Sequence, residues 1–297
     1  MAEKKSLSSI QQLATDAWEL FKKTWVFYLK LLGLSFAYIF LVVLVGILIS
    51  LPITFVAIGS GLRFFNHMTP FHYATLILFI LWIIFFIVSV ISVEIIVPIA
   101  GIFILQGKRT TPIFDLLKST KPFFWQYFLT MLICGFLSVG GMFLVIIPGF
   151  LIAFFFIFVM YEIVLEKQKG LAALKRSYFM VKSHFWEVLG RFVVLEVVYL
   201  IILGILTKLA AGDALLGLVR FLYILFFSWY AWAYMFLLYK EVKARTTFPE
   251  KISITWIWIV SVIGWLLLVL LFVSLIIGLA HLPMQLGPIH RVSPNAV

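Results

Sequence analysis

The stretch GGMFLVIIPGFLIAFFFIFVMYEIVLEKQKGLAALKRSYFMVKSHFWEVLG (140–190) holds one full copy of a pattern that the rest of the chain repeats. Two apolar runs meet at Pro148–Gly149. The second closes on Glu162 and a basic segment, LEKQK (165–169). An amphipathic segment follows, with Leu171, Leu174, Tyr178 and Val181 on one helical face and Lys175, Arg176 and Lys182 on the other. Trp186 then stands at the entry to a new apolar run. This order specifies two apolar helices joined by a turn at Pro148–Gly149, followed by an interfacial helix that leads into the next hairpin.

The whole composition fits the same solvent. Of 297 residues, 64% are hydrophobic and 12% charged, with a mean hydropathy of +1.17. Soluble domains carry about 25% charged residues. A chain this poor in charge cannot cover its surface in water, and a bilayer is the medium that suits it. The net charge of +11 would suggest nucleic acid in a soluble protein. Here the basic residues border apolar runs, so contact with an anionic membrane leaflet is the expected role and nucleic acid is excluded. Cys134 is the only cysteine, so no disulfide framework exists.

A spanning helix needs roughly 20 apolar residues. Seven stretches qualify, at about 31–58, 74–104, 123–146, 150–166, 188–208, 217–239 and 254–280. The fourth is the shortest and the second is longer than needed, which leaves room for a tilt or a break in either. The first ends in no small-residue cleavage site and is read as a retained span. With the N-terminus inside, 19 of the 23 Lys and Arg fall on the cytoplasmic side and 4 outside. That alternation is a positive-inside signal over seven spans, and it places the C-terminus outside.

The pattern of 140–190 recurs. SSIQQLATDAWELFKKTWVFYL (8–29) and TTPIFDLLKSTKPFFWQYFL (110–129) match GLAALKRSYFMVKSHFWEVL (170–189). Each is a short amphipathic helix, then a lysine, then a tryptophan within four residues. The pairs are Lys23 with Trp25, Lys121 with Trp125, and Lys182 with Trp186. In the first, Ile10, Leu13, Ala14, Ala17 and Phe21 share a face, and Ser8 or Ser9 can cap it. In the second, Thr111 caps and Pro112 takes the first helical position. Exits are also alike: LQGKR (105–109), LEKQK (165–169) and LYKEVK (238–243). The expected fold is therefore all-α and polytopic, with three helical hairpins each preceded by an amphipathic interfacial helix. Its six-span domain covers 1–245, with repeat units at about 8–109, 110–169 and 170–245. An extra seventh span occupies 246–282 and a flexible tail 283–297.

The central wording carries a resemblance. A glycine-containing span, Pro148–Gly149, an acidic residue closing the next span, then G-x-x-A-L-K-R-S and F-W resemble the membrane domain attached to some bacterial glycerophosphoryl diester phosphodiesterases. The chain is also similar to related uncharacterised bacterial inner-membrane proteins. VEIIVPIAGIFILQGKRTT (93–111) fits the same pattern, so the likeness covers roughly 10–245. It implies a bacterial cytoplasmic membrane. It implies no diesterase activity, because the catalytic TIM barrel of those enzymes has no room in this chain.

Nothing in the sequence assembles a catalytic set. Phosphodiester hydrolysis needs a metal or clustered His, Asp and Glu. None of the five histidines, His67, His72, His184, His281 and His290, has another His at helical spacing. His67 and His72 share a loop and are read as polar loop residues. No P-loop, dinucleotide fingerprint, metal site or cofactor is expected. Three acids interrupt apolar helix, where a carboxylate costs about 2.5–3.5 kcal/mol at the bilayer centre. Glu196 lies near the middle of the fifth span; it is either a polar site or a partner of Arg191 or of another span. Glu94 stands four residues before Pro98, whose missing N–H frees the Glu94 carbonyl. It is either a polar site or hydrogen-bonded to Ser89 or Ser92. Glu162 is placed at the cytoplasmic interface beside Lys167 and Lys169. Cys134, Ser138 and Gly141 form a small-residue stripe suited to helix packing.

The expected role is a non-enzymatic membrane module that engages lipids or a membrane or cytoplasmic protein. Lys23, Trp25, Lys121, Trp125, Lys175, Arg176, Lys182 and Trp186 would be the headgroup contacts. The alternative is a transporter or channel that uses Glu94 and Glu196. A lipid-modifying enzyme would need a polar cluster that the sequence does not offer.

Overall fold

The computed structural model describes residues 7–60, 70–108, 112–210 and 212–280. Every regular element among them is helical. In chain order these are α1 (Ile10–Ser60), α2 (Pro70–Leu105), α3 (Ile113–Leu144), α4 (Ile146–Phe155), α5 (Val159–Val164), α6 (Leu171–Ser183), α7 (Phe185–Leu209), α8 (Ala214–Arg245) and α9 (Thr255–Ala280). Seven stretches are long and apolar enough to cross a membrane, α4 and α5 together supplying the fourth. The all-α, seven-span reading holds, and the chain is a multi-span membrane protein. His67 and the tail from residue 283 lie outside the described residues.

The chain forms two compact units. Met1–Leu132 and Phe155–Ile252 make the first, and Ile133–Phe154 and Ser253–Val297 the second. The seventh helix thus shares a unit with residues 133–154.

In the first unit α1 packs on α2 and α8, α7 on α8, and α5 on α6. Ser9 caps α1, its hydroxyl accepting the Gln12 N–H at 3.1 Å. Leu13, Ala17, Phe21, Thr24 and Leu31 then form a continuous buried stripe. The amphipathic segment and the first span are one helix, not two, because no residue between Leu13 and Leu31 breaks the 3.6-residue period. The same is true of α3, which starts after Pro112 and runs through Pro122. Only the third amphipathic segment stands alone, as α6. Left-handed backbone at Lys167 (φ 54°) and Gly170 (φ 48°) turns the chain into it.

Much of the apolar face of the first and third segments is covered by protein. Phe21 meets the rings of Phe226 and Tyr230 on α8. Ala173, Leu174, Tyr178 and Val181 of α6 are buried, with Tyr178 edge-on to Phe155 at 5.0 Å. Trp229 of α8 donates to the Thr24 hydroxyl at 3.0 Å and stacks on Tyr28 at 4.1 Å. Farther along α1, the Trp82 indole donates to the Val42 carbonyl at 2.9 Å and lies against Gly46, where a side chain would collide with the ring.

Exposure divides the first unit along its helices. Large apolar side chains are exposed on α2 from Tyr73 to Ile91, on α7 from Val193 to Leu209, and on α8 from Leu215 to Ile224. Beyond those runs, Ile95–Leu105 of α2 and Trp229–Val242 of α8 are rich in buried residues. Exposed apolar halves therefore continue into an aromatic, protein-covered body.

The fourth span is broken. Phe156–Phe158 leave the helix, and a break in an apolar stretch needs its backbone groups satisfied. Ser177 of α6 does this. Its hydroxyl donates to the Phe155 carbonyl at 2.9 Å and accepts the Phe158 N–H at 3.2 Å.

In the second unit Pro148–Gly149 is not the turn between spans. The helix is interrupted at Val145, and Pro148 and Gly149 sit in the first turn of α4, where proline costs no hydrogen bond. Gly149 is buried on the backbone of Met142, and any Cβ would meet Met142 N at 2.5 Å. The end of α3 also packs on α9. Ser261 donates to the Leu137 carbonyl at 2.7 Å, and the Trp265 indole donates to the Phe136 carbonyl at 3.0 Å. A Cβ on Gly264 would lie 1.7 Å from the Gly140 carbonyl oxygen, so this crossing requires glycine.

Candidate functional site

Three features of the first unit gather polar residues. One is a buried latch. Glu162 of α5 has no exposed surface. The Arg176 Nε of α6 donates to one carboxylate oxygen at 2.5 Å, and the Tyr239 hydroxyl of α8 to the other at 3.0 Å. The Arg176 guanidinium also lies 3.9 Å from the centre of the Phe248 ring. Arg176 is thus committed to the protein and not to headgroups. Nearby, Lys243 pairs with Glu166. The latch ties three elements together, and its charges are compensated where a lone buried carboxylate would be costly.

A second cluster fastens the start of the chain. The Ser8 hydroxyl donates to Glu241 of α8 at 2.8 Å, and Arg245 donates to the same carboxylate at 3.0 Å. Arg191 of α7 donates to the carbonyls of Ser8 at 2.5 Å and Glu187 at 2.9 Å. Arg191 therefore does not pair with Glu196. Its Nε and the Tyr234 hydroxyl are buried without a partner among the described residues.

The third feature is a chain of hollows along α1, α2 and α3. The first, about 570 Å³, lies under the start of α3 and is lined by Lys118, Lys121, Phe124 and Trp125. It shares Ile96, Phe114 and Leu117 with a second of about 320 Å³, lined by Leu31, Leu34 and Tyr38. That one shares Ser35, Val93 and Val97 with a third of about 470 Å³, which holds Glu94, Pro98 and Trp232. Lys118 and Lys121 are exposed and form no ion pair among the described residues. Lys118 also precedes Pro122 by four residues, so its carbonyl lacks a helical partner, as that of Glu94 does.

The expected site residues separate under this geometry. Glu94 is exposed into its hollow one turn past the last lipid-exposed apolar residue of α2, Ile91. Neither serine serves it: Ser89 receives the Tyr38 hydroxyl at 3.0 Å, and Ser92 donates to Val88. Glu196 sits within the exposed apolar run of α7 and is not in the lining of that hollow. The two glutamates do not share it. Trp125 and Trp186 are 67% and 79% exposed, whereas Trp25 is half-buried against Phe226 at 5.9 Å. Lys23 and Lys182 are exposed and Lys175 half-exposed. Among the described residues, no three His, Cys, Asp or Glu side chains converge as a metal site would need.

The model of one family, described as a domain of unknown function (DUF7847), matches residues 7–272. The chain belongs to that family. The match begins beside the Ser8 cluster and runs through most of α9, so the seventh span lies inside the family's domain. Neither a curated protein nor a solved structure matches the chain.

Sequence reasoning passed over Ser177, Tyr239 and Glu241, and read Ser8 only as a possible helix cap. Ser177 stood in the quoted G-x-x-A-L-K-R-S run and Glu241 in the LYKEVK exit. Both were visible as polar residues, but their partners lie 22 and 233 positions away.

Proposed function

We propose that this chain is a non-enzymatic protein of a bacterial cytoplasmic membrane that engages the lipids around it. Its N-terminus faces the cytoplasm and its C-terminus the outside. The observation that carries the reading is the pairing of exposed lysines with exposed tryptophans, Lys121 with Trp125 and Lys182 with Trp186, where amphipathic segments lead into spans. The charge alternation and the likeness of 140–190 to a bacterial membrane domain support it as well.

Native mass spectrometry of the full chain in mild detergent tests the reading. A stoichiometric lipid retained by the wild type is the expected result. Recovery of no lipid under conditions that preserve the fold would refute it and favour a protein partner. Arg176 is left unchanged in such work, because its loss would unlatch Glu162.

A transporter or channel is the second reading, and one observation favours it. Glu94 is a carboxylate without a partner among the described residues, in a hollow and beside a proline-freed carbonyl. In that case Glu94→Gln abolishes a pH-coupled flux into vesicles while leaving the protein folded, and an unchanged flux in that variant removes the reading.

A further inference from the structure

The geometry points to one site for an anionic phospholipid under the start of α3, with the phosphate held by Lys118 and Lys121 and an acyl chain lying in the hollows beyond. This rests on the lipid-engaging reading and gives it a place and a ligand class.

Charge is the first argument. Lys118 and Lys121 are three residues apart and so occupy one face of α3. Like charges so placed repel, and a neighbouring carboxylate would normally relieve them. The hollow that they line contains none. The remaining lining is apolar or aromatic apart from Thr120, whose hydroxyl already donates to the Leu117 carbonyl at 2.7 Å. Asp115, one turn before Lys118, is exposed, lies outside the hollow's lining and forms no ion pair among the described residues, so a phosphate between the two ammonium groups has no competing carboxylate within the hollow.

Shape is the second argument. A free anion needs only the lysines, yet this hollow opens onto apolar space. Ile96, Phe114 and Leu117 form the shared wall that leads to Leu31, Leu34 and Tyr38. An amphiphile with a charged head and a hydrocarbon chain fits that sequence of surfaces, and an inorganic ion does not. Position agrees. Trp125 is one turn past Lys121 and 67% exposed, as an indole at headgroup level is. The second hollow also borders Ser92, next to the end of the exposed apolar run of α2 at Ile91.

The test measures lipid retention by the full-length protein in mild detergent, incubated with an equimolar mixture of phosphatidylglycerol and phosphatidylcholine. Wild type is expected to hold one phosphatidylglycerol, and excess inorganic phosphate should not displace it. Lys118→Gln with Lys121→Gln should cut the preference for the anionic lipid roughly 30-fold, from about 1 kcal/mol per lysine at an anionic surface. Leu117→Trp, which fills the shared wall and keeps both lysines, should also expel the lipid. Gel filtration and circular dichroism confirm that each variant is folded. Unchanged retention in both variants, with loss instead on Lys175→Gln with Lys182→Gln, would overturn this site while the lipid-engaging reading stood. Displacement by inorganic phosphate alone would also overturn it, in favour of a simple anion site. Failure of the wild type to hold any lipid would remove the broader reading and this site with it.

Discussion

Glu162 illustrates how strongly a buried carboxylate depends on its company. Both of its oxygens are used, by Arg176 and Tyr239. Removing Arg176 leaves a charge with no exposed surface and one remaining hydrogen bond. Arg176→Ala is expected to lower stability by about 3–5 kcal/mol. Changing both residues, Glu162→Gln with Arg176→Gln, should cost less than that single change, because no uncompensated charge remains. Thermal unfolding in detergent measures both, and a double variant less stable than Arg176→Ala would contradict the latch. Tyr239→Phe removes only one of the carboxylate's bonds and should cost about 1.5–3 kcal/mol. The sequence marked Glu162 as unusual but did not name the groups that hold it. Lys167 and Lys169 are close in sequence, and Arg176 reaches Glu162 only because α6 folds back on α5.

Helices in this chain are defined as much by what repairs them as by their apolar runs. The fourth span can break at Phe156–Phe158 because the Ser177 hydroxyl meets one carbonyl and one N–H there. Ser177→Ala should leave both groups unsatisfied in a buried place and cost about 1–3 kcal/mol for each. Ser177→Cys, which keeps a weak donor, should restore part of that loss. The crossing of α3 and α9 is set differently, by the absence of side chains. Gly264→Ala forces a Cβ to within 1.7 Å of the Gly140 carbonyl oxygen, so the two helices must part. A destabilisation of about 1–3 kcal/mol is expected from such overpacking. Faster proteolysis after residue 250 at equal temperature would report it. Unaltered proteolysis and melting in Gly264→Ala would show that this close approach does not hold α9 in place.

At the scale of the first unit, the division between exposed apolar halves and a buried aromatic body sets where chemistry can occur. Polar clusters sit in or beside the buried body: the Glu162 latch, the Ser8–Arg191–Glu241 tie and the Lys118–Lys121 hollow. Orientation is testable at this level. With the N-terminus in the cytoplasm, a cysteine placed at Ala296 should react with an impermeant maleimide in intact cells, and one placed at Ser9 should not. Cys134 is changed to serine beforehand to remove background. The reverse labelling pattern would invert the proposed topology and move the basic segments to the outer face.

Solvent preference, helix content and the number of spans were legible from the residues alone. They depend on hydropathy and on a 3.6-residue period, which are local sums that no tertiary contact reverses. The amphipathic stripes were legible for the same reason, and Leu13, Ala17 and Phe21 are buried together. Tertiary structure decided what covers each stripe. A helical face of Leu, Tyr and Val fits lipid or protein equally well, and only the return of α8 past α1 put Phe226 and Tyr230 on it. It also decided which charges are free. Arg176 and Lys182 read alike in sequence, yet one is bound to Glu162 and the other is exposed, because the partner of Arg176 is brought to it by the fold of α6 on α5 and not by any local pattern.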